Sequence, residues 1–228
     1  VTSREQFIGT VSKALGREKT PAVPAPFAWR HSVHTEVMKD FTRDDLARAF
    51  MEYSRKVGAD VIETTRDGLN AAIQNAVEGC GPGPVIMAND PLLNELCTAE
   101  ALETGRKVQV WNSDGSRGSD LRFAEEASVG IAVAEKALAE SATILLFSHK
   151  GCGRSVTLLP ESVIYVVPKS LICPRLTQGM AYLRQNKENL PASVNFVSGP
   201  SATSDIELVR VVGVHGPSHV IHIVVNDI

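Results

Sequence analysis

Between residues 42 and 111 the hydrophobic period of the chain alternates three times, and this constrains the fold more than any other feature. TRDDLARAFMEYSRKVG has helical spacing, with Thr42 as N-cap and Gly58 as the stop. ADVIET follows as a short strand, RDGLNAAIQNAVEGCG as a helix ending in glycines, and PVIMAN as a strand. PLLNELCTAEALETG reads as one helix with Pro91 in its first turn, and KVQVW as a third strand. Helix and strand in rotation predict parallel βαβ units. Because crossovers are right-handed, the expected product is a doubly wound sheet.

After residue 127 the rhythm changes. SVGIAVA, TILLFS, ESVIYVVP, SLICP, SVNFVS and HVIHIVV read as strands, EKALAES as a short helical piece, and RLTQGMAYLRQNKENL as a helix. No linker separates the halves, so one domain is expected over 41–228. Residues 1–40 form a separate N-terminal part: a helix over 3–15 followed by a Pro-rich arm around Pro21, Pro24 and Pro26. His31 and His34 lie in that arm and read as surface residues. That helix has little nearby to bury Phe7, Ile8, Val11 and Leu15, so it needs the main domain, another subunit or a partner.

Composition narrows the function classes. A net charge of -3 gives no broad attraction for nucleic acid or an anionic membrane surface. No apolar run approaches the roughly 20 residues of a membrane-spanning helix. No signal peptide is read before Val1, and the four cysteines, Cys80, Cys97, Cys152 and Cys173, make no CxxC pair. The expectation is a reduced, cytoplasmic protein without its own cofactor or metal. His219 and His222, three apart in a strand, face opposite ways and cannot share one ion.

Open parallel sheets bind ligands beyond the carboxyl ends of their strands, so the loops after KVQVW, TILLFS and SVNFVS are the places to look. They hold Asn112, Ser113, Asp114 and Gly115, then HKGCGR, then Ser198-Gly199-Pro200-Ser201. Lys150 and Arg154 offer two cations on a glycine-rich loop that is not a P-loop. Cys152 reads as packing, with a reactive thiol as the alternative. Ser201, Thr203, Ser204, Asp205 and Glu207 read as a helix start, with Ser204 and Glu207 spaced as a capping box. The same exposed N–H groups also suit an anion. His215, between glycines, is a candidate acid or base or a turn residue bonding its own backbone. Glu140 ends a short helix where a carboxylate opposes the macrodipole, a small cost that hints at another use.

Three segments together resemble the LUD-domain family, and within it the lactate-utilisation type C group. These are GIAVAEKALAESATILL, GCGRSVTLLPESVIYVV, and SGPSATSDIE followed by GVHGP. Their order and spacing extend the likeness over roughly residues 40–228. The resemblance implies a three-layer α/β/α sandwich with a mostly parallel sheet, similar to ribose-phosphate isomerase and CoA-transferase. It also implies a subunit supporting oxidation of L-lactate to pyruvate beside iron–sulfur partner proteins. On that reading Glu140, Glu207 and His215 are catalytic candidates. Ser141, Thr143, Lys150, Arg154, Ser198, Gly199, Ser201, Thr203 and Asp205 would hold a small carboxylate or phosphate-bearing ligand. Three positions depart from the family pattern: Ser141 stands where the family has threonine, Ala142 where it has glycine, and Ala202 where a basic residue is common. A stand-alone enzyme on a phosphosugar, folate or CoA-type molecule, a regulatory or scaffold protein, and a homo-oligomer remain compatible with the sequence.

Overall fold

The computed structural model describes residues 3–17, 30–103, 105–112, 117–205 and 207–228. The Pro-rich arm over 21–29 and the loop residues 113–116 lie outside them. The chain divides into two compact units, Val1–Val33 and His34–Ile228. In the first, helix α1 (Arg4–Ala14) starts at a capping box between Ser3 and Gln6 and buries none of its residues. A single helical turn, α2 (Val33–Glu36), follows.

The second unit begins with α3 (Arg43–Val57), capped by Thr42 and closed by Gly58 at φ 91°. Then come β1 (Asp60–Thr64), α4 (Leu69–Gly79), β2 (Val85–Met87), α5 (Pro91–Leu96), α6 (Ala99–Leu102) and β3 (Val108–Val110). The expected single helix over 91–105 is thus two, interrupted at Cys97 and Thr98. Cys97 is non-helical at φ -144° and ψ 85°, and Thr98, extended, starts the second piece as its N-cap. A helix not read from the sequence, α7 (Arg117–Glu126), leads to β4 (Val129–Val133). The rest comprises β5 (Lys136–Leu138), β6 (Thr143–Phe147), α8 (Ser155–Leu158), β7 (Ser162–Pro168), β8 (Ile172–Cys173), α9 (Leu176–Gln185), β9 (Val194–Ser198), β10 (Ala202–Thr203), β11 (Val211–Val212) and β12 (His219–Val225).

Six strands form one parallel sheet in the order β1-β12-β7-β4-β2-β3. The chain moves one way from β1 through β2 to β3, then turns back through β4, β7 and β12. Right-handed crossovers must therefore switch faces at β3, and the side chains agree. His219 turns to Cys80 at the end of α4, at 3.7 Å, whereas His222 turns to Ser54 of α3, at 2.8 Å. Gln109, in register with Ile86 and through it with Gly130, bonds Asp120 of α7 on the His222 face. The two histidines do face opposite ways. The result is an α/β/α sandwich: α4 and α6 on one face, and α3, α7 and α8 on the other. The core is nearly continuous, with every residue of β7 and all but His219 of β12 buried.

The third layer carries a second sheet, in the order β8-β5-β6-β9. It overturns two expectations. EKALAES is not helical: β5 pairs antiparallel with β6 and parallel with β8, and only Ala139–Ser141 forms a 3-10 turn. Ala137 and Leu138 are consecutive and both buried, as in a strand covered on both faces. TILLFS and SVNFVS are β6 and β9, antiparallel to each other rather than members of the parallel sheet. Their following loops therefore leave from opposite ends of the small sheet.

Candidate functional site

The motif residues meet at the amino-terminal end of the parallel sheet. Gly199, at φ 65°, passes so close to the end of α3 that an added Cβ would lie 2.8 Å from the Val57 carbonyl oxygen. Ser201 N–H donates to Pro217 O at 2.9 Å, and Gly213 N–H donates to Ser201 O at 2.8 Å. The SGPS and GVHGP segments are thus bonded to each other just before β12. Ser198 Oγ donates to Ser141 O at 2.7 Å, and the Ser141 and Thr143 hydroxyls are 2.7 Å apart. This cluster joins the ends of β9 and β6 where Thr143 pairs with Ser198. Ala142 between them is fully buried at φ 49°, a left-handed conformation that a glycine would adopt without a Cβ penalty. Glu140 is held by Arg175, Nε to Oε2 2.5 Å.

A cavity of about 350 Å³ opens beside these segments. Ser198, Gly199, Ser201 and His215 line it from the motifs, and Thr157 and Tyr165 from α8 and β7. Phe196, Val163 and Val220 supply apolar wall. Its size falls in the usual range for a small-molecule site. Tyr165 is 1% exposed, and the Thr157 side chain is the hydrogen-bonding neighbour of its hydroxyl. Burial holds this phenol protonated well above its ordinary value, so it is a neutral group at neutral pH. His215 also lines a neighbouring bowl of about 690 Å³ whose rim carries Glu125, Glu126 and Glu161, a field unfavourable to anions.

The remaining predicted residues lie elsewhere. Among the described residues of this stretch, 204, 205, 207 and 208, no helix starts: β10 and β11 form an antiparallel hairpin, and Glu207 and Leu208 turn it at φ 53° and 58°. Thr203 Oγ1 accepts the Asp205 N–H at 3.3 Å in place of the expected capping box, so the described residues there present no helix N-terminus to an anion. Asp205 and Glu207 are exposed in this turn and do not line the cavity. Lys150 follows the end of β6 opposite Thr143 and is exposed. Arg154 accepts from Thr157 Oγ1 through its carbonyl, but its side chain is exposed and not among those lining the cavity. Cys152 is pushed up to about 12 by burial and by nearby Asp90, so it is a packed thiol rather than a thiolate nucleophile. Tyr165 and Thr157 were missed because nothing in a continuous apolar run marks which residue faces a cavity.

Among the described residues, no group of three His, Cys, Asp or Glu side chains is arranged to hold a metal ion. No helix among them is long and apolar enough to cross a membrane.

Comparison with known proteins gives a consistent picture. A sequence model of the LUD domain matches residues 47–225. The chain is 37% identical over 235 residues to "Lactate utilization protein C" of Bacillus subtilis, covering 100% of this chain and 98% of that protein. It is 39% identical over 232 residues to the protein of the same name from Halalkalibacterium halodurans, covering 100% and 99%. A crystal structure of a DUF162 family protein from Deinococcus radiodurans superposes with a TM-score of 0.60 at 20% identity, covering 81% of this chain and 99% of that one.

Proposed function

The chain belongs to the LUD-domain family, and from that premise we propose that it is a subunit of a lactate-utilisation system. In this reading it supports oxidation of L-lactate to pyruvate together with iron–sulfur partner proteins. The observation that carries the proposal is the end-to-end likeness to several proteins named lactate utilization protein C. Lactate must lose two electrons and two protons to become pyruvate, so an acceptor has to take the electrons. In this reading the partner proteins supply that acceptor.

The cavity beside the two bonded motifs is the proposed ligand site. The hydroxyls of Ser198 and Ser201, with the backbone at Gly199, would orient a small ligand, and His215 is the lining side chain able to carry a proton. Ser141 and Thr143 would act behind them by fixing Ser198. Glu140, already paired with Arg175, would serve as a positioning group.

The test is reconstitution. Purified chain and its iron–sulfur neighbours, alone and mixed, are assayed for L-lactate-dependent dye reduction. The mixture is expected to turn over and the isolated chain to be silent. A full rate from the isolated chain, or from the partners without it, would overturn the subunit reading.

A further inference from the structure

The parallel sheet reverses its winding between β2 and β4. From β2 the chain runs outward to β3, and from β4 it runs the other way toward β7. Such a switch point opens a crevice at the carboxyl ends of the two strands. A pocket of about 50 Å³ lies there, lined by Asp90 beyond β2, Glu135 beyond β4, and His149 and Cys152 of the loop over 148–154. None of the SGPS or GVHGP residues lines it.

The loop is clamped in place. Asn89 N–H donates to Gly151 O at 2.7 Å, and His149 and Cys152 exchange backbone hydrogen bonds at 3.1 and 3.0 Å. A Cβ on Gly151 would lie 2.3 Å from Asn89 O, and one on Gly153 would lie 2.2 Å from the Trp111 ring. The glycines of HKGCGR therefore serve close packing on the ends of β2 and β3.

Three side chains share one pattern: one polar atom anchored, the other left over. His149 Nδ1 accepts the Gly151 N–H at 3.1 Å, so a neutral imidazole carries its proton on Nε2. Glu135 Oε1 accepts from the Tyr182 hydroxyl. Asp90 Oδ1 accepts the Leu92 N–H at 2.8 Å. Among the described residues, His149 Nε2, Glu135 Oε2 and Asp90 Oδ2 have no partner. All three side chains line the pocket, which has space for one or two water-sized groups, and between them they have one donor and two acceptors left over.

We propose that this crevice binds the alcohol group of a hydroxylated small molecule. The ligand O–H donates to Glu135 or Asp90, and its oxygen accepts from His149 Nε2–H. A carboxylate or phosphate is disfavoured by two carboxylates and by the lack of any Lys or Arg in the lining. An ammonium can donate but cannot accept from Nε2–H. The site is independent of the lactate reading, because its ligand is defined by the hydroxyl and binding is read on the isolated chain.

The experiment follows the His149 ring signals by NMR, assigned through their loss in His149→Gln, while glycerol is titrated into the full chain. Propionate and ethylammonium serve as comparison ligands. Glycerol is expected to shift the ring signals saturably and the other two are not. Glu135→Gln keeps an acceptor for Tyr182, and Asp90→Asn keeps the helix cap, so both variants retain their anchors. At least one should weaken glycerol binding about tenfold or more. No saturable shift with glycerol, an equal shift with propionate or ethylammonium, or unchanged binding in both variants would overturn the proposal.

Discussion

His222 should make this protein lose stability as pH falls from neutral toward 5. The residue is fully buried in the middle of β12, its ring 5.2 Å from that of Phe50 and 6.0 Å from that of Tyr165. Ser54 Oγ donates to Phe50 O at 2.8 Å, so the bond between His222 Nδ1 and Ser54 Oγ is best satisfied with the proton on Nδ1. Nε2 then presents a lone pair with no partner, and a proton added there would be a buried unpaired charge. Burial lowers the folded-state value to about 4 from 6.5. Below 6.5 the unfolded chain binds a proton that the folded chain refuses, so stability falls with pH until about 4 and then levels off. The linkage relation gives a loss of about 2 kcal/mol between pH 7.5 and 5. For a chain of this size that is a fall in melting temperature of about 4–8 °C. Asp45 and Glu52 are held below their ordinary values of 3.8 and 4.5, so their acid losses come at lower pH. Urea unfolding at both pH values, for the native chain and for His222→Gln and His222→Leu, reads the effect. Both variants should flatten the pH slope whatever their absolute stability. An unchanged slope in the variants, or a native loss under about 0.5 kcal/mol, would refute the argument.

Gly153→Ala places a methyl 2.2 Å from Trp111, so either the loop lifts or the indole leaves its buried seat. A loss of about 1–3 kcal/mol with a red shift in tryptophan emission is expected, and an unchanged urea midpoint and emission would contradict it. Glu140→Gln weakens an ion pair whose side chains are 24% and 37% exposed, so solvent screening keeps the stability cost under about 1 kcal/mol. A large loss of reconstituted lactate oxidation with that small thermal shift would place Glu140 in function, whereas matched losses would make it structural.

The fold was legible in the sequence where one local signal decided one element. Between Thr42 and Trp111 caps, prolines and glycines marked the boundaries, and the helix–strand alternation stands as read except that the helix after β2 is split in two. Farther on, the signal named strands without naming their partners. TILLFS is as apolar as a central parallel strand, yet its antiparallel pairing with β5 and β9 puts it in another layer. That difference lives in long-range pairing, which hydrophobic period does not encode. It also moved the site. Once β9 leaves the parallel sheet, the carboxyl-end rule no longer applies to the Ser198 turn, which lies instead at the start of β12. The same rule applies to Asp90, Glu135 and His149, of which only His149, in HKGCGR, lies in a loop that the sequence singles out. Their convergence depends on strand order and on two glycines that admit the loop. The motif that identifies the family and the crevice that parallel-sheet topology favours for binding are thus two different places. A glycine at Gly199 is required there by its φ of 65° and by the close approach of Val57, so its presence does not by itself argue for a ligand. What argues for one is the cavity of about 350 Å³ itself, where Thr157, Tyr165, Ser198 and Ser201 gather against the apolar wall of Val163, Phe196 and Val220.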